Sequence, residues 1–308
     1  MEKCLIPKIE NFWQELINSK KIKENYIIMS MAYLKNVFKT IEKFRLVEKG
    51  DVVFVALSGG KDSASALFAL KEFEKTKSMG FELKAFHINL GGNGSEKIQE
   101  VVKEQAKLAN VQLFVHDLKE SGISLEEISK STRRPVCSVC GVVKRYLLNK
   151  IPRELGATKI ATGHQADDFA VFFFKNLLGQ NFSWIGKFRP KLESKNKKLL
   201  TKIRPLFFVS GRDNKVFCKS LNIPFLDETV CPYFSNKMKD YEKAKKWYGV
   251  IHKIESEVPG FKERLINSIE KISEYFYKDE ELMSCKVCGE PTSGEVCAFC
   301  RLTKKNIR

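Results

Sequence analysis

The strongest constraint on how this chain can fold lies at residues 51–63. The apolar run Val52 to Leu57 stops abruptly at Ser58-Gly59-Gly60-Lys61-Asp62-Ser63, and a helical pattern of Ala64, Leu67, Phe68 and Leu70 begins at once. The pattern reads as a buried strand, a tight turn and the first turn of a helix. The glycines let the backbone turn sharply and leave its N–H groups unobstructed. Ser58, Ser63 and the helix N-terminus add donors and the positive end of a dipole, which together suit an anion. The G-x-x-x-x-G-K-[ST] spacing of a Walker A loop is absent. The plain alternative is an ordinary strand-to-helix turn, but two glycines between two serines, with Lys and Asp inserted, exceed what such a turn needs.

Downstream the pattern alternates strand and helix, the sign of a parallel sheet covered on both faces. Strands are expected at 51–57, 81–90, 111–116 and 158–162. Helices are expected at 62–77, 95–109, near 124–130, at 138–154, and from Gly163-His164-Gln165-Ala166-Asp167-Asp168 through Leu178. Upstream, residues 8–48 read as two lysine-rich helices carrying Phe12, Leu16 and Ile17, then Ile27, Met31, Leu34, Phe38 and Phe44. Residues 237–278 read as two more helices with a break at Pro259-Gly260. Four segments follow: a helical segment 1–49, a nucleotide domain 50–235, C-terminal helices 236–280, and a cysteine unit with its tail 281–308. Ligands of such sheets bind outside the carboxyl ends of the strands. The 58–63 turn, His87–Asn89, Gly163–Asp168 and the cysteine motif at 137 all lie at or near those ends, so they can face one crevice.

The chain has nine cysteines. The tail pairs, Cys285/Cys288 and Cys297/Cys300, match a compact zinc ribbon with four thiolates, a closed structural site. So small a unit has no hydrophobic core of its own, so the metal supplies most of its stability; a redox role is the minor alternative. Cys137 and Cys140 form a third pair opening a helix, with no fourth pair nearby. Cys231, before a proline, makes a third thiol. Three thiolates are too few for a closed zinc site and suit a [4Fe–4S] cluster with one iron open. Three redox thiols, or zinc or a disulfide at the pair alone, are the competing readings. Cys218 sits in a helical apolar pattern and reads as a buried thiol.

Charge points to a polyanionic partner. Lys+Arg number 54 against 37 Asp+Glu, a net +17, which favours nucleic acid; a lysine-rich surface without such a partner is the alternative. Residues 186–220 hold eleven basic residues against two acids, with Lys195, Lys197 and Lys198 in an apparent exposed loop suited to backbone phosphates or simply solvated. No apolar stretch approaches the length of a membrane span, and the N-terminus lacks a secretion pattern. A cytoplasmic protein is expected.

The turn resembles the PP-loop of the ATP pyrophosphatase superfamily, whose fold is adenine nucleotide alpha hydrolase-like. Together with Arg133-Arg134-Pro135-Val136-Cys137-Ser138-Val139-Cys140, Ala161-Thr162-Gly163-His164-Gln165-Ala166-Asp167-Asp168, Cys231 before Pro232 and the tail cysteines, it resembles the tRNA 2-thiouridine and 2-thiocytidine synthetases, closest to the T-loop 2-thiouridine branch. The likeness spans about residues 50 to 301. It implies an ATP site at Ala56, Leu57, Ser58, Gly59, Gly60, Lys61, Asp62, Ser63, Ile88 and Gly163. It implies a [4Fe–4S] cluster on Cys137, Cys140 and Cys231, and catalytic roles for Lys144 and Asp168. Lys144 stands one helical turn beyond Cys140 and can reach the same crevice, there neutralising charge on phosphate; a solvated helix lysine is the alternative. Asp168 would hold Mg²⁺ or orient the lysine, unless it or Asp167 caps the following helix. The resemblance further implies one Zn²⁺ in the tail, tRNA as substrate, a ubiquitin-like sulfur carrier as partner, and a homodimer. One departure stands out. The branch usually begins with another zinc finger, whereas here Cys4 is the sole cysteine before the turn and no histidine precedes His87.

The reaction so implied is adenylation of the C2 oxygen of a tRNA uridine or cytidine by ATP, followed by its replacement with sulfur delivered through the cluster. A PP-loop ligase joining an amine to an adenylated base would leave the central cysteines unexplained. A thiobase desulfidase would have no use for ATP, and a non-catalytic zinc RNA-binder would leave the 58–63 turn idle.

Overall fold

The computed structural model describes residues 20–193, 195–226, 231, 233, 238–278 and 281–303. Cys4 and the expected helix through Phe12, Leu16 and Ile17 lie outside the described residues. The remainder of that segment forms α1 (Lys20–Lys43). The chain then alternates as expected: β1 (Val52–Leu57), α2 (Lys61–Lys77), β2 (Glu82–Asn89), α3 (Ser95–Leu108), β3 (Gln112–Asp117), α4 (Leu125–Thr132), α5 (Val136–Glu154), β4 (Lys159–Ala161) and α6 (Ala166–Leu178). A short α7 (Phe182–Ile185), β5 (Lys191–Leu192), β6 (Thr201–Ile203) and α8 (Gly211–Ser220) follow. The chain ends in α9 (Met238–Glu257), α10 (Phe261–Phe276), β7 (Met283–Ser284), β8 (Pro291–Thr292) and α11 (Ala298–Thr303).

The main sheet has the order β3-β2-β1-β4-β6-β5. All its pairings are parallel except that of the edge strand β5 with β6. The direction of strand addition reverses between β1 and β4, so the crevice at the carboxyl ends of these two strands is the switch point where ligands bind. Residues 191–203 contribute the β5–β6 edge, which the sequence pattern did not announce; strands of two and three residues are too short to show an alternation. Lys195, Lys197 and Lys198 are exposed in the loop between them, as expected.

Alternation along β1 builds the core on both sides. Val53, Val55 and Leu57 pack with Leu67 and Leu70 of α2, Val102 of α3, Val37 of α1 and Phe217 of α8. Phe54 points the other way, into a cluster with Phe86, with Val139, Val143 and Leu147 of α5, and with Cys285 and Cys300 of the tail. A third cluster joins α6, α7 and α10 through Phe169, Phe173, Ile185 and Ile266. The expected break near Pro259 is present: Gly260 takes φ +78° and starts α10. Among the described residues, no helix is long and apolar enough to cross a membrane.

Candidate active site

At the end of β1 the chain reverses through Ser58–Gly60 into α2. Gly59 has φ +79°, and a Cβ there would stand 3.2 Å from Ile98 Cγ2, so this position requires glycine. Internal hydrogen bonds hold the turn. The Ser58 amide donates to Ser63 Oγ at 3.1 Å, and Ser63 Oγ donates to the Gly60 carbonyl at 3.1 Å. Leu226 N–H donates to the Gly59 carbonyl at 3.0 Å, tying the turn to a distant segment. Behind it runs a relay that passes from half-buried to buried: Lys61 Nζ donates to Asp62 Oδ2 at 2.9 Å, Asn214 Nδ2 to Asp62 Oδ1 at 2.7 Å, and Tyr33 OH to Asn214 Oδ1 at 2.7 Å.

Gly163 closes the other side of the switch point. A Cβ on it would lie 2.6 Å from both Asp62 C and Ser63 N. Its bare backbone lets the loop after β4 lie against the first peptide of α2. Close approach, not an unusual torsion, fixes glycine at this position.

These elements enclose a cavity of about 340 Å³. Of the residues marked in the sequence, Ala56, Leu57, Ser58, Gly60, Ile88, Lys144 and Cys231 line it. Gly59, Lys61, Asp62 and Ser63 shape the turn from behind. Asp168 is not in the lining. Its Oδ2 accepts the Gln165 amide at 3.2 Å in a capping box, and its Oδ1 accepts Tyr248 OH at 2.6 Å. Burial raises its carboxyl to about 6 despite both bonds. Asp168 thus caps the helix, a role the sequence reading allowed for it or Asp167. Asp167, its neighbour, accepts from Gly211 N at 2.9 Å and Lys262 Nζ at 3.0 Å.

Sequence reasoning placed His87 at the crevice without a role and passed over Asn214 and Leu226. His87 lines the cavity, and its Nδ1 donates to the Leu57 carbonyl at 2.9 Å. Burial, aided by the nearby Lys144 charge, holds the imidazole below its ordinary range in spite of that bond. His87 therefore stays neutral beside Lys144. Asn214 and Leu226 follow the turn by more than 150 residues in sequence, and no local pattern announces them.

The thiols divide into two sets. Cys285, Cys288, Cys297 and Cys300 have their sulfurs within 4.8 Å of one another, the sole such group among the described residues. The Cys288–Cys297 separation is 3.7 Å, against roughly 3.8 Å for two thiolates on one tetrahedral zinc with Zn–S bonds of about 2.3 Å. Amides of Val287 and Cys297 donate to Cys285 Sγ at 3.4 and 3.2 Å. This donor set fits a tetrahedral metal. The ribbon docks on α5: Tyr146 stacks on Phe299 with centroids 3.8 Å apart and 2° between planes. Arg153 makes a bidentate pair with Glu290 at 2.9 and 2.5 Å, and Lys198 Nζ donates to the Gly289 carbonyl at 2.7 Å. Lys198, exposed in its loop, is thus also a docking contact.

Cys137, Cys140 and Cys231 are looser. Cys137 is exposed on the first turn of α5, Cys140 half-buried one turn on, and Cys231 half-buried in the cavity wall. Both Cys140 and Cys231 act on the Tyr233 phenol, whose pKa burial and these thiols raise. Their sulfurs do not gather as closely as the ribbon set. A cluster of several irons bridged by sulfides spans its ligands more widely, and three thiols leave one of its four corners open. The donor set fits such a cluster.

A glycine turn at the switch point of a parallel sheet, beside a lysine and a thiol, defines a nucleotide-dependent enzyme of the PP-loop class. A family profile described as a PP-loop domain matches residues 31–244. The chain is 36% identical over 280 residues to tRNA-5-methyluridine(54) 2-sulfurtransferase of Pyrococcus horikoshii, covering 89% of this chain and 86% of that one. It is 35% identical over 275 residues to the enzyme of the same name from Thermotoga maritima, covering 88% and 86%. A tRNA-cytidine(32) 2-sulfurtransferase of Haemophilus ducreyi is 27% identical over 283 residues, covering 90% and 85%. Among solved structures, U34-tRNA thiolase NcsA from Methanococcus maripaludis with its [4Fe-4S] cluster superposes with a TM-score of 0.73 at 24% identity, covering 93% and 90%; that likeness concerns the fold. The chain belongs to the tRNA 2-sulfurtransferases of the PP-loop family.

Proposed function

We propose that this protein uses ATP to replace the C2 oxygen of a tRNA uridine with sulfur, and that the uridine is 5-methyluridine 54, as in the relatives of 33–36% identity. The observation that carries this reading is the single cavity whose wall includes Ser58 and Gly60 of the turn, Lys144 of α5 and the thiol of Cys231. One base inserted there meets both a phosphate cradle and a sulfur-handling thiol.

The chain's groups divide the work. The Ser58–Ser63 turn and the N-terminus of α2 hold the pyrophosphate end of ATP with amide donors, and Mg²⁺ enters with the nucleotide. Lys144 stabilises charge at the α-phosphate while the C2 oxygen attacks it. Pyrophosphate leaves, and the base carries AMP on an oxygen that is now a good leaving group. His87, neutral and fixed by Leu57, leaves Lys144 as the cation of this wall. Sulfur then forms the C2 bond and AMP departs with the oxygen. Cys137, Cys140 and Cys231 would hold a [4Fe–4S] cluster, which when bound supplies a Lewis-acidic iron able to hold sulfide. Cys285, Cys288, Cys297 and Cys300 would hold one structural Zn²⁺. A small sulfur-carrier protein and a homodimer are the proposed partners, and 1–49, 50–235, 236–280 and 281–308 the proposed domain units.

The test is anaerobic incubation of iron- and sulfide-reconstituted protein with ATP, sulfide and unthiolated tRNA, followed by nucleoside mass spectrometry. 2-Thiolated 5-methyluridine is expected, and only with ATP present. Thiolation without ATP, or thiolated cytidine in its place, would overturn this reading.

A further inference from the structure

Next to the nucleotide cavity lies a second group of basic side chains that nothing above uses. Lys202 sits on β6 opposite Ile160 of β4. Ile160 belongs to the core on the α5 side of the sheet, while Ala161 and Ile203 belong to the other core, so Lys202 faces α5. Arg145 projects from that helix one residue after Lys144. It also lines a cavity of about 200 Å³ between α5 and the ribbon. His164 follows Gly163 directly, its Nδ1 2.9 Å from Thr162 Oγ1. Arg204, two residues beyond Lys202, lies 5.1 Å from the Phe169 ring centroid and donates to the Lys187 carbonyl at 2.8 Å. Lys187 Nζ lies 5.0 Å from the ring of the exposed Trp184.

Two features separate this group from an ordinary basic surface. First, among the described residues no carboxylate pairs with Arg145, Lys202 or Arg204, and neither the Arg145 nor the Lys202 side chain has a hydrogen-bond partner. Elsewhere the chain pairs its half-buried lysines, as Lys159 with Asp51 at 2.7 Å and Lys262 with Asp167 at 3.0 Å. Second, the charges are crowded. Arg145 and His164 are exposed and Lys202 half-buried, and desolvation together with the neighbouring cations lowers the His164 and Lys202 pKa values, Lys202 to about 8 with help from the Arg204, Arg145 and Lys187 charges. Like charges held together without a carboxylate cost stability unless an anion joins them.

The position identifies the anion. Lys144 lines the nucleotide cavity and Gly163 lies against Asp62 and Ser63 of the turn; Arg145 and His164 are their immediate neighbours in the chain, so the basic group adjoins the cavity. A base placed in the cavity has its own strand's phosphates a few ångströms away. We propose that Arg145, Lys202 and His164 form a basic patch that holds a backbone phosphate of the tRNA, adjoining the nucleotide whose base enters the cavity. This rests on the proposed tRNA substrate.

The test compares wild type with Lys202→Met and Arg145→Gln by fluorescence anisotropy on labelled tRNA across a series of KCl concentrations. Each variant is expected to bind tRNA roughly tenfold more weakly, as for a lost charge-assisted bond, and to reduce the salt slope by about one. Lys202→Arg restores both. Lys202→Met is also expected to raise the melting temperature, since it relieves repulsion in the free protein, which separates a ligand contact from a folding defect. ATP affinity, read by calorimetry with a non-hydrolysable analogue, is expected to stay at the wild-type value. Unchanged tRNA affinity and slope in both variants would overturn the proposal, and so would equal loss of ATP and tRNA affinity, which would assign the patch to the nucleotide's own phosphates. Wild-type protein that fails to bind tRNA at all would instead overturn the substrate assignment beneath it.

Discussion

Gly163 and Asp168 lie five residues apart, and their environments demand opposite things of them. At Gly163 the obstacle to a side chain is backbone: the methyl of Gly163→Ala would overlap Asp62 C and Ser63 N at 2.6 Å, atoms that cannot rotate away. The loop after β4 must then retreat from the start of α2. We expect Gly163→Ala to cost about 3 kcal/mol, read by urea denaturation, and to weaken ATP binding through the displaced turn. At Asp168 the demand is electrostatic. Burial raises the folded-state carboxyl to about 6 from an ordinary 3.8, so between those values the folded protein holds a proton that the unfolded chain has released. Its contribution is therefore present below about pH 4 and lost as pH rises through about 6. Denaturation midpoints measured from pH 4 to 7 are expected to fall less steeply with rising pH in Asp168→Asn than in the wild type. An identical slope in the two proteins would remove Asp168 as the source.

Among the elements, α5 carries the most. Its first turns present Cys137 and Cys140, its third lines the cavity with Lys144, and its far end grips the ribbon through Tyr146 and Arg153. The ribbon therefore acts as a brace for the helix that carries the proposed chemistry. Phe299→Ala removes the ring stacked on Tyr146 and is expected to cost about 3 kcal/mol. Zinc content, read by atomic absorption, should stay at the wild-type level, while cleavage after Tyr277 in limited proteolysis should quicken as the ribbon undocks. Chelation should lower the melting temperature further, because the four thiolates lose the ion that orders them. Helices such as α5 were legible in the sequence because a repeat of 3.6 residues with an apolar face is a local property. The glycine turn was legible for the same reason. The β5–β6 edge was not, since its strands are too short to alternate, and neither was the contact of Lys198 with Gly289, which joins segments 91 residues apart. Asp168 was ambiguous for a different reason: a carboxylate at the third helical position can serve as a cap, as a catalytic group or as both, and its bonds to Gln165 and Tyr248 establish the cap.

The cavity's two walls come from separated parts of the chain: the turn after β1 forms one, α5 with Cys231 the other. Such a division predicts that the two halves of the reaction can be cut apart. Adenylation needs the turn and Lys144, whereas sulfur insertion also needs the thiols. With tRNA present, Cys231→Ala should still release pyrophosphate from ATP, at a rate within about a few-fold of wild type, because its side chain lies outside the phosphate cradle. It should incorporate no sulfur. Lys144→Ala should lose both, with pyrophosphate release down by roughly a hundredfold or more, the scale on which removing one electrostatic stabiliser acts. Tyr33→Phe probes the same wall from behind, since its hydroxyl is the outermost link of the relay through Asn214 to Asp62. Weakening that link should raise the ATP requirement while leaving the ratio of sulfur incorporated to pyrophosphate released unchanged, because both products depend on the same turn. Phosphate release assays alongside nucleoside mass spectrometry on the same samples measure that ratio directly. If Cys231→Ala loses pyrophosphate release as completely as Lys144→Ala, the walls act as one unit and the division of labour argued from their geometry fails.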